Sequence, residues 1–361
     1  MRGATQREHG SVGTAGAGRP ATPPVVDIAA KVAFLRRPSS HPEQPGEIIV
    51  IETHFAWVFI GDRVVRKLKK PIRTDWLDFS TLERRLAACA AEVTLNRPLA
   101  PDVYRGVEQL VLSEAGELAL DRPGRTVDAV VVMRRLPAAR SLDRLAASVM
   151  PADLDPLVGR LVTFYGEGVS SAADPGARLD QVAVSLGNLA ARFRAGPLRC
   201  RVSLLARLEA LAALVEPLLA ERAVTGRVVD AHGDLRPEHV YLTQPPHILD
   251  RLEFGPAYRA IDWLEDTALL AVDLERQGQG WIGDFLMRRI AAGLGDRPPH
   301  VLWSFYRAWR AVLRAQLAVE HIGREDAADR ARMRSRWLLK ARTCLAIAER
   351  HLLAATRPRA P

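Results

Sequence analysis

The sequence predicts an α+β fold with two lobes, a small β-rich lobe followed by a larger, mostly helical one. Its 361 residues are enough for two modest domains or one bilobal enzyme. Short β-branched runs concentrate before residue 136, and helical periods dominate after it. With 48% hydrophobic and 26% charged residues, the composition is that of a globular protein. We predict a disordered tail over 1–24, a first lobe over 25–136 and a second lobe over 137–361.

The first lobe is predicted to hold one sheet and one main helix. Ser80 precedes Glu83 by three positions, the spacing of a helix capping box, and this predicts a long helix over 80–96. A short amphipathic helix is expected over 25–37. Strands are expected over residues 47–52, 57–60, 64–68, 103–107, 109–113 and 129–133.

The second lobe is predicted to be helical, with short strands around one irregular loop. The strands are expected over 227–231, 239–243 and 246–249. Helices are expected over 142–149, 154–166, 180–195, 203–222 and from 262 to the end of the sequence.

Composition excludes several classes of protein. No uncharged apolar run approaches the roughly 18–20 residues of a membrane helix, and the N-terminus has no apolar segment of a secretory signal. Cys89, Cys200 and Cys344 lie far apart without a CxxC pair, which indicates a reducing compartment rather than a disulfide scaffold or zinc site. We therefore predict a cytoplasmic protein without membrane partners.

The positive charge is concentrated at one end of the sequence. The formal net charge is +9, and residues 301–361 contain 13 basic and 5 acidic residues, a net +8. This excess lies on one helix-patterned segment, without the groove-reading or aromatic motifs that accompany a nucleic-acid surface. The pattern argues against nucleic acid as the partner.

Lysine is rare in this chain, and its placement is informative. Only five of the 51 basic residues are lysine, and three of these are Lys67, Lys69 and Lys70. An ammonium is compact where a guanidinium is broad and planar, so this cluster is a candidate for chemistry in a tight pocket.

The strongest local signal is the run Ala231 to His239, AHGDLRPEH, followed by Ile248-Leu249-Asp250. Asp234 follows an apolar strand on an irregular loop, and Asp250 ends a strand sixteen positions later. The hairpin between them turns the chain back, so both carboxylates can face one cleft. Phosphoryl transfer uses such a pair, one carboxylate to orient the attacking hydroxyl and one to hold magnesium.

A phosphate-binding cation is predicted in the first lobe. Lys67 and Lys69 point to one face of a strand, and an ammonium flanked by apolar residues needs a carboxylate. Glu92 on the helix over 80–96 is the candidate partner, and such a pair fixes a lysine against nucleotide phosphates. Lys69 is the alternative if the register slips by two residues, and a solvated edge-strand lysine is the simpler alternative.

These segments resemble the aminoglycoside phosphotransferase family, which has a protein-kinase-like bilobal fold. HGDLRPEH…ILD is similar to its HGDxxxxN…D motif, and ETHFAWVF, VRKLKKP, LDFSTLERR, EVTLNRPLAPDVY, VVMRRLP, LDRLEF and FYRAWRAVLRA resemble an uncharacterised bacterial branch of it. The resemblance covers roughly residues 25–321. Many members of that branch carry a second, P-loop kinase domain. No GxxxxGK[ST] occurs in the 361 residues, so we expect that domain to be absent.

The resemblance implies an ATP- and Mg²⁺-dependent transfer of phosphate to a small-molecule hydroxyl. In this comparison Asp234 takes the catalytic-base position and Lys67 the nucleotide-lysine position, with Glu92 as its ion-pair partner. Asp250 and His239 take the metal-binding positions, and Asp262 would brace the catalytic loop. Met133, Arg134, Arg135 and Leu136 would lie beside adenine, and Thr53 and His54, in the covering loop over 52–57, would contact the phosphates.

Two departures from that family pattern favour an alternative. His239 offers nitrogen where magnesium prefers oxygen, and the covering loop has no run of glycines. The alternative is a catalytically weak or inactive kinase-fold protein that binds nucleotide and regulates. A basic nucleic-acid-associated protein is a third hypothesis.

Three further sets of residues in the second lobe have simpler interpretations. His232 is interpreted as structural, hydrogen-bonded to backbone near the loop. Trp303, Phe305, Tyr306 and Trp309 lie at core-like helical spacing and are expected to pack. Arg307, Arg310 and Arg314 are expected to form one solvated face, with binding of a substrate anion as the alternative. A group of acids follows Asp250: Glu253, Asp262, Glu265, Asp266, Asp273 and Glu275. In the resembled family, acids of this lobe often bind cationic substrates. The simpler interpretation is that they cap helices or lie on solvated faces, and this is favoured for Asp273 and Glu275.

Overall fold

A computed structural model describes residues 26–74, 77–168, 202–320 and 330–356, with some positions between 180 and 191. The tail predicted over 1–24, half of the helix predicted over 180–195, and Cys200 lie outside the described residues. The element order confirms the predicted α+β class, with a sheet-rich lobe first and a mostly helical lobe after it.

The first lobe is built on a six-stranded antiparallel sheet with the order β1-β2-β3-β6-β4-β5. The prediction of two strands over 103–107 and 109–113 was wrong, because β4 is continuous and pairs with β6 across two register shifts. The strand β5 was not predicted. The strands are β1 Ile49–Glu52, β2 Ala56–Ile60, β3 Val64–Lys69, β4 Tyr104–Leu112, β5 Leu118–Leu120 and β6 Arg125–Arg134.

Alternation along the strands separates the two faces of this sheet. Val130 and Val132 of β6 pack with Phe34 and Leu35 of helix α1 (Ile28–Leu35) on one face. On the other face Ala129, Val131 and Met133 pack with Cys89 and Val93 of helix α2 (Leu82–Asn96). Lys67 and Lys69 of β3 share the face with α2, since they alternate with Leu68 of the opposite face. The sequence pattern therefore places both ammonium groups beside α2.

Helix α2 begins one residue later than the capping box predicted. Thr81 is the N-cap, and its side chain accepts a hydrogen bond from the backbone N–H of Arg84. Ser80 instead donates its hydroxyl to Asp78, 2.6 Å away. The prediction of Ser80 as the cap was wrong, because the N–H at the start of α2 bonds to Thr81 rather than to Ser80.

The second lobe is a helical core that holds two small two-stranded sheets. Strand β7 (Val228–Asp230) pairs with β10 (Ala260–Asp262), and β8 (Val240–Tyr241) pairs with β9 (His247–Ile248). Within the parts of the chain the structure describes, no helix has the length and apolar character needed to cross a bilayer. The helices are α3 Leu142–Leu145, α4 Pro151–Glu167, α5 Val202–Val224, α6 Trp263–Arg276, α7 Gly280–Gly293, α8 His300–Glu320 and α9 Arg330–Thr356.

Helix α8 confirms one prediction and overturns another. Its four aromatic residues are buried in the main core, as expected. The solvated arginine face was wrong, because Arg307, Arg310 and Arg314 are buried and paired with Glu275, Glu265 and Asp273. The interpretation of Asp273 and Glu275 as solvated acids was wrong for the same reason.

Candidate active site

The ammonium of Lys67 lies where the two lobes meet. Its Nζ is 3.0 Å from Oε1 of Glu92 on α2 and 2.5 Å from Oδ1 of Asp250, which follows β9. Lys69 approaches the same glutamate from the next position on the β3 face, with Nζ 2.6 Å from Oε2 of Glu92 and 2.5 Å from Oε1 of Glu253. Both oxygens of the buried Glu92 are therefore fixed by lysines.

These contacts keep the cluster ionised. Burial alone would raise the pKa of Glu92, but Lys67 and Lys69 outweigh it and lower that pKa. Burial likewise opposes the charge on Lys67, yet the carboxylates of Asp250 and Glu92 raise its pKa well above the usual range. The pKa of Asp250 is lowered because Lys67 outweighs the effect of burial. At neutral pH Lys67 is therefore an ammonium held between the carboxylates of Glu92 and Asp250.

Asp250 is held in an unusual backbone conformation at the edge of this cluster. Its φ of 62° lies in the left-handed region, which non-glycine residues seldom occupy. The backbone N–H of Asp250 donates to the hydroxyl of the buried Tyr104, 3.0 Å away. Its side chain keeps 42% of its surface exposed, and its hydrogen bond to Lys67 uses Oδ1. The carboxylate of Asp250 is therefore fixed through one oxygen and partly open to solvent.

Asp234 lies on the loop that follows β7, and its carboxylate is 34% exposed. His232 shapes this loop from within the core. Its Nδ1 accepts the backbone N–H of Asp234 at 3.2 Å, and its Nε2 therefore donates to the carbonyl of Leu249 at 2.9 Å. Burial lowers the pKa of His232, which keeps it neutral. The structural interpretation of His232 is confirmed.

Asp266 braces this loop, and the prediction of Asp262 for that role was wrong. The carboxylate of Asp266 accepts the backbone N–H of His232 at 2.9 Å and that of Gly233 at 3.0 Å. Gly233 has a φ of 84°, and a Cβ there would lie 3.2 Å from Leu252. Asp262 instead caps α6 and pairs with Arg222. It lies one helical turn too early to reach the loop.

His239 lies between the two aspartates. Its Nδ1 is 2.9 Å from the backbone carbonyl of Asp234, and because a carbonyl only accepts, Nδ1 carries the proton. In the neutral ring Nε2 then has a free lone pair, and it lies 3.6 Å from Oδ2 of Asp250. The structure thus joins Asp234, His239, Asp250, Lys67 and Glu92 in one chain of contacts where the two lobes meet.

The covering hairpin, residues 52–57, contacts the segment after Asp250. The hydroxyl of Thr53 donates to the carbonyl of Ala56 at 2.9 Å and accepts the N–H of the same residue at 3.0 Å. The ring of Phe55 contacts the rings of His54 and Phe254, at centroid distances of 4.5 and 6.0 Å. The hydroxyl of Thr53 is thus engaged in its own turn, and Phe55 joins the hairpin to the segment after Asp250.

The segment Met133 to Leu136 links the two lobes. The backbone N–H of Arg134 donates to the carbonyl of Val103 at 2.8 Å, and that of Arg135 to Arg63 at 2.9 Å. These two donors are therefore used within the protein. Met133 and Leu136 are buried in an apolar cluster that continues to Leu249, next to Asp250.

Four residues at the site were missed or underweighted from the sequence. Lys69 was weighed only as an alternative to Lys67, whereas both bind Glu92. Asn96 accepts the backbone N–H of Arg251 at 2.8 Å and so ties the end of α2 to the segment after Asp250. A lone tyrosine and a lone asparagine carry no spacing signal, and Asp266 was one of several acids near a helix start. The missed set is Lys69, Asn96, Tyr104 and Asp266.

No family model matches the chain. Two uncharacterised proteins, one from Mycobacterium bovis and one from Mycobacterium tuberculosis, are each 33% identical to it over 282 residues. The match covers 75% of this chain and 54% of each relative. The chain therefore spans about half the length of the curated relatives it matches.

The chain is also similar to three solved structures of small-molecule kinases. A choline/ethanolamine kinase family protein from Mesorhizobium loti has 14% identity and a TM-score of 0.48, over 91% of this chain and 99% of that one. An ADP-bound aminoglycoside phosphotransferase has 14% identity and a TM-score of 0.41, over 83% of this chain and 95% of that one. A glucosamine kinase has 16% identity and a TM-score of 0.41, over 91% of this chain and 86% of that one. All three TM-scores lie below 0.5.

Proposed function

We propose that the protein is an ATP-dependent phosphotransferase that moves the γ-phosphate to a hydroxyl of a small molecule. One observation carries the proposal. Lys67, paired with a buried glutamate of one lobe, meets Asp250 of the other lobe beside a half-exposed Asp234. This arrangement provides a cation for phosphates, a metal-binding oxygen and a base within one cleft.

The proposed reaction assigns one task to each side chain. Lys67 binds the nucleotide phosphates, and Glu92 holds its ammonium in place. Asp234 orients the acceptor hydroxyl. The acceptor oxygen forms a bond to the γ-phosphorus, the bond from that phosphorus to the β,γ-bridging oxygen breaks, and ADP leaves with the electron pair. The acceptor proton passes to the carboxylate of Asp234. Most of the rate enhancement would come from positioning and charge neutralisation.

Asp250 and His239 are the residues that would hold magnesium. The metal, when bound, would neutralise charge on the phosphates. Asp250 fits this task because its carboxylate is 42% exposed and its Oδ2 lies 3.6 Å from Nε2 of His239, which offers a lone pair. Among the residues that the structure describes, no group of three His, Cys, Asp or Glu side chains is arranged around a metal position. Phosphates and water would therefore supply most ligands, as is usual for magnesium.

The test is the substitution Asp234→Asn in the full chain, assayed for ATP-dependent phosphate transfer to sugars, amino alcohols and aminoglycosides. Loss of the base is expected to reduce transfer about 100-fold or more, since general-base catalysis contributes on the order of 10²–10⁴. ATP affinity is expected to stay within about two-fold. Asp155→Asn, an exposed carboxylate paired with Arg289, is the control. Turnover close to that of the parent protein would refute the assigned mechanism.

A nucleotide-binding regulatory protein with little turnover is the second candidate. The engaged hydroxyl of Thr53 and the imidazole of His239 favour it, because both differ from what phosphate and magnesium binding prefer. Thermal-shift titration with ATP, with and without Mg²⁺, separates the two functions. Metal-independent binding without phosphate transfer to any acceptor supports the regulatory protein.

A further inference from the structure

Arg251 follows Asp250 directly in the chain but is buried in the protein. Only 5% of its surface is exposed, whereas the side chain of Asp250 keeps 42% of its own. Arginine is seldom buried this deeply unless its donors are used, because an unpaired guanidinium away from water is costly. The partners of Arg251 therefore indicate what this side chain does at the site.

The guanidinium of Arg251 contacts both lobes. In the second lobe its Nε donates to the carbonyl of Ala231 at 3.0 Å, and its Nη2 donates to the carbonyl of Asp230 at 2.7 Å. In the first lobe its Nη1 donates to the carbonyl of Leu95 at 3.3 Å, near the end of α2. Its Cζ lies 5.0 Å from the ring centroid of Phe164, so an aromatic face covers the group. One planar side chain thus connects α2 to the end of β7.

The backbone at Arg251 is anchored to the same two places, although it forms neither helix nor strand there. The N–H of Arg251 donates to Oδ1 of Asn96 at 2.8 Å, and the N–H of Leu252 donates to the carbonyl of His232 at 3.1 Å. The amide nitrogen of Asn96 donates in turn to the carbonyl of Glu92 at 2.8 Å, which holds Asn96 in its helix. Backbone and side chain therefore both attach this position to α2 and to the loop after β7.

The charge of Arg251 is balanced by Asp230. Its Nη2 lies 2.6 Å from Oδ2 of this aspartate, whose Oδ1 lies 2.8 Å from Nε of Arg259. The ion pair with Asp230 needs one positive charge, whereas the bonds to three carbonyls need a fork of several nitrogens. The substitution Arg251→Lys can therefore separate the charge of this residue from its contacts with the carbonyls.

These contacts place Arg251 beside both aspartates of the candidate site. Asp250 is its neighbour in the chain, and Ala231 is three positions before Asp234. Phosphate transfer needs the two carboxylates in fixed positions, since a displacement of about 1 Å can lower a rate on the order of 10²-fold. A planar fork suits the task of fixing them, because its nitrogens reach acceptors in several directions at once.

We propose that Arg251 is a positioning residue for phosphate transfer. It fixes Asp250, the residue assigned to magnesium, relative to the loop of Asp234 and to α2, which carries Glu92. The inference rests on the function proposed above and adds to it a residue that acts through the two aspartates rather than on the substrates. The link between the lobes is complete before nucleotide binds, so the two carboxylates are already in place when it arrives.

The first test is amide hydrogen exchange of the full chain, measured without nucleotide. Arg251→Lys keeps the charge, but a single ammonium cannot reach the carbonyls of Leu95 and Ala231 together. Exchange is expected to become about ten-fold faster or more over residues 231–236 and 249–253, because both segments lose a fixed partner. Faster exchange in only one of these segments, or in neither, would overturn the inference.

Arg85→Lys is the matched control, because Arg85 is as deeply buried and makes the same kinds of bond within the first lobe. It donates to the carboxylate of Asp128 at 2.9 Å and to the carbonyls of Phe79 and Ser80 at 3.0 and 3.3 Å. A general loss of stability would appear in both variants and throughout the protein. The faster exchange of the two segments is expected in Arg251→Lys alone.

The second test measures by calorimetry how much Mg²⁺ strengthens the binding of a non-hydrolysable ATP analogue. The ratio of the two affinities is a property of the folded molecules and does not depend on how many are folded. Arg251→Lys is expected to lower this ratio about ten-fold, because Asp250 is displaced. Affinity without Mg²⁺ should stay within about two-fold, because Lys67 and Glu92 remain paired. An unchanged ratio would overturn the positioning role even in a less stable protein.

Kinetics give a third measurement, with whichever sugar, amino alcohol or aminoglycoside the parent protein phosphorylates. Arg251→Lys is expected to lower kcat about 10- to 100-fold and to leave the KM of the acceptor within about two-fold, because the displaced carboxylates act in the transition state. An unchanged kcat per folded molecule would overturn the positioning role.

The outcomes keep this inference distinct from the proposed function. Failure of the parent protein to bind the ATP analogue would overturn the phosphotransferase, and the role of Arg251 in it. Binding that Mg²⁺ strengthens equally in the parent protein and in Arg251→Lys would overturn the role of Arg251 alone. If Arg251→Lys is poorly folded, Asn96→Ala removes the acceptor of the Arg251 N–H, and the same direction of change is expected in all three measurements.

Discussion

Lys67 and Asp250 are 183 positions apart in the sequence, yet Nζ of the lysine lies 2.5 Å from Oδ1 of the aspartate. One residue belongs to the sheet of the first lobe and the other to the loop after β9 in the second. The contact gives each lobe one member of the site, and neither lobe alone holds a complete one.

Lys67 and Lys69, the two lysines beside Glu92, are expected to have different roles. Lys67→Met removes the ammonium nearest the cleft and leaves Glu92 paired with Lys69. Phosphate transfer should fall about 100- to 1,000-fold, as for loss of one group that stabilises a transition-state charge, with little loss of stability. Lys69→Met leaves Glu253 without its lysine in a buried setting, so it should lower the free energy of unfolding more.

Transfer assays and urea unfolding of both variants check this division of roles. Equal losses of activity and stability in the two proteins would contradict it. Lys70→Met is the control, because this third lysine of the run pairs with the exposed Glu52 outside the cluster.

The cluster of Lys67, Lys69 and Glu92 could be predicted from the sequence, because the two-residue period of strands and the helical period determine it. Alternation along β3 places Lys67 and Lys69 on one face, and the apolar stripe of α2 packs on that face with Glu92. The hairpin spacing likewise placed Asp234 and Asp250 at one cleft. These relationships depend on local geometry, which residue order specifies.

Burial in the second lobe could not be predicted in the same way. Arg307, Arg310 and Arg314 have the same helical spacing whether their stripe faces water or another helix. The arginine stripe is buried because α8 packs against α9 and α6. A single sequence does not show which helices pack together. Asp262 and Asp266 are one turn apart near the start of α6, and only the tertiary fold shows which one reaches the loop.

Asp266 and Asp262 are expected to differ when each is changed to asparagine. Asp266→Asn replaces one of two oxygens that accept the N–H groups of His232 and Gly233, and its amide cannot accept in turn. The loop of Asp234 should then be displaced, which lowers kcat about ten-fold or more. Asp262→Asn weakens the pair with Arg222 and should lower the melting temperature with a smaller effect on kcat.

Kinetics and thermal unfolding, measured on the same preparations, test this contrast. If Asp262→Asn lost more activity than Asp266→Asn at equal folded fraction, the assignment of Asp266 as the brace would be wrong.

Glu275 is expected to make the fold sensitive to acid. Burial opposes its ionisation, but His351 and Arg307 outweigh it and lower its pKa to about 2. Because the pKa in the folded protein lies below the ordinary value, the carboxylate stabilises the fold above about pH 4.5, and this contribution disappears as the pH falls toward 2. Glu275→Gln should lower the free energy of unfolding at pH 7 by roughly 1–2 kcal/mol, allowing for solvent screening.

Urea unfolding between pH 7 and pH 2.5 checks both parts of that expectation. The difference between Glu275→Gln and the parent protein should shrink as the pH falls. Glu209→Gln, an exposed carboxylate of α5, is the control. A difference that stayed constant with pH would contradict the linkage.

His239→Asn is expected to change which metal ion the site prefers. The proton on Nδ1, donated to the carbonyl of Asp234, leaves Nε2 as the atom that faces Asp250. Imidazole nitrogen suits manganese better than magnesium, whereas an amide oxygen suits magnesium. We therefore compare the ratio of Mn²⁺ affinity to Mg²⁺ affinity, measured with a non-hydrolysable ATP analogue. This ratio should be larger in the parent protein than in His239→Asn. Calorimetry gives that ratio, and nitrogen coupling in the Mn²⁺ spin-echo spectrum should be present only with the histidine. An unchanged ratio together with an unchanged spectrum would mean that His239 takes no part in metal binding.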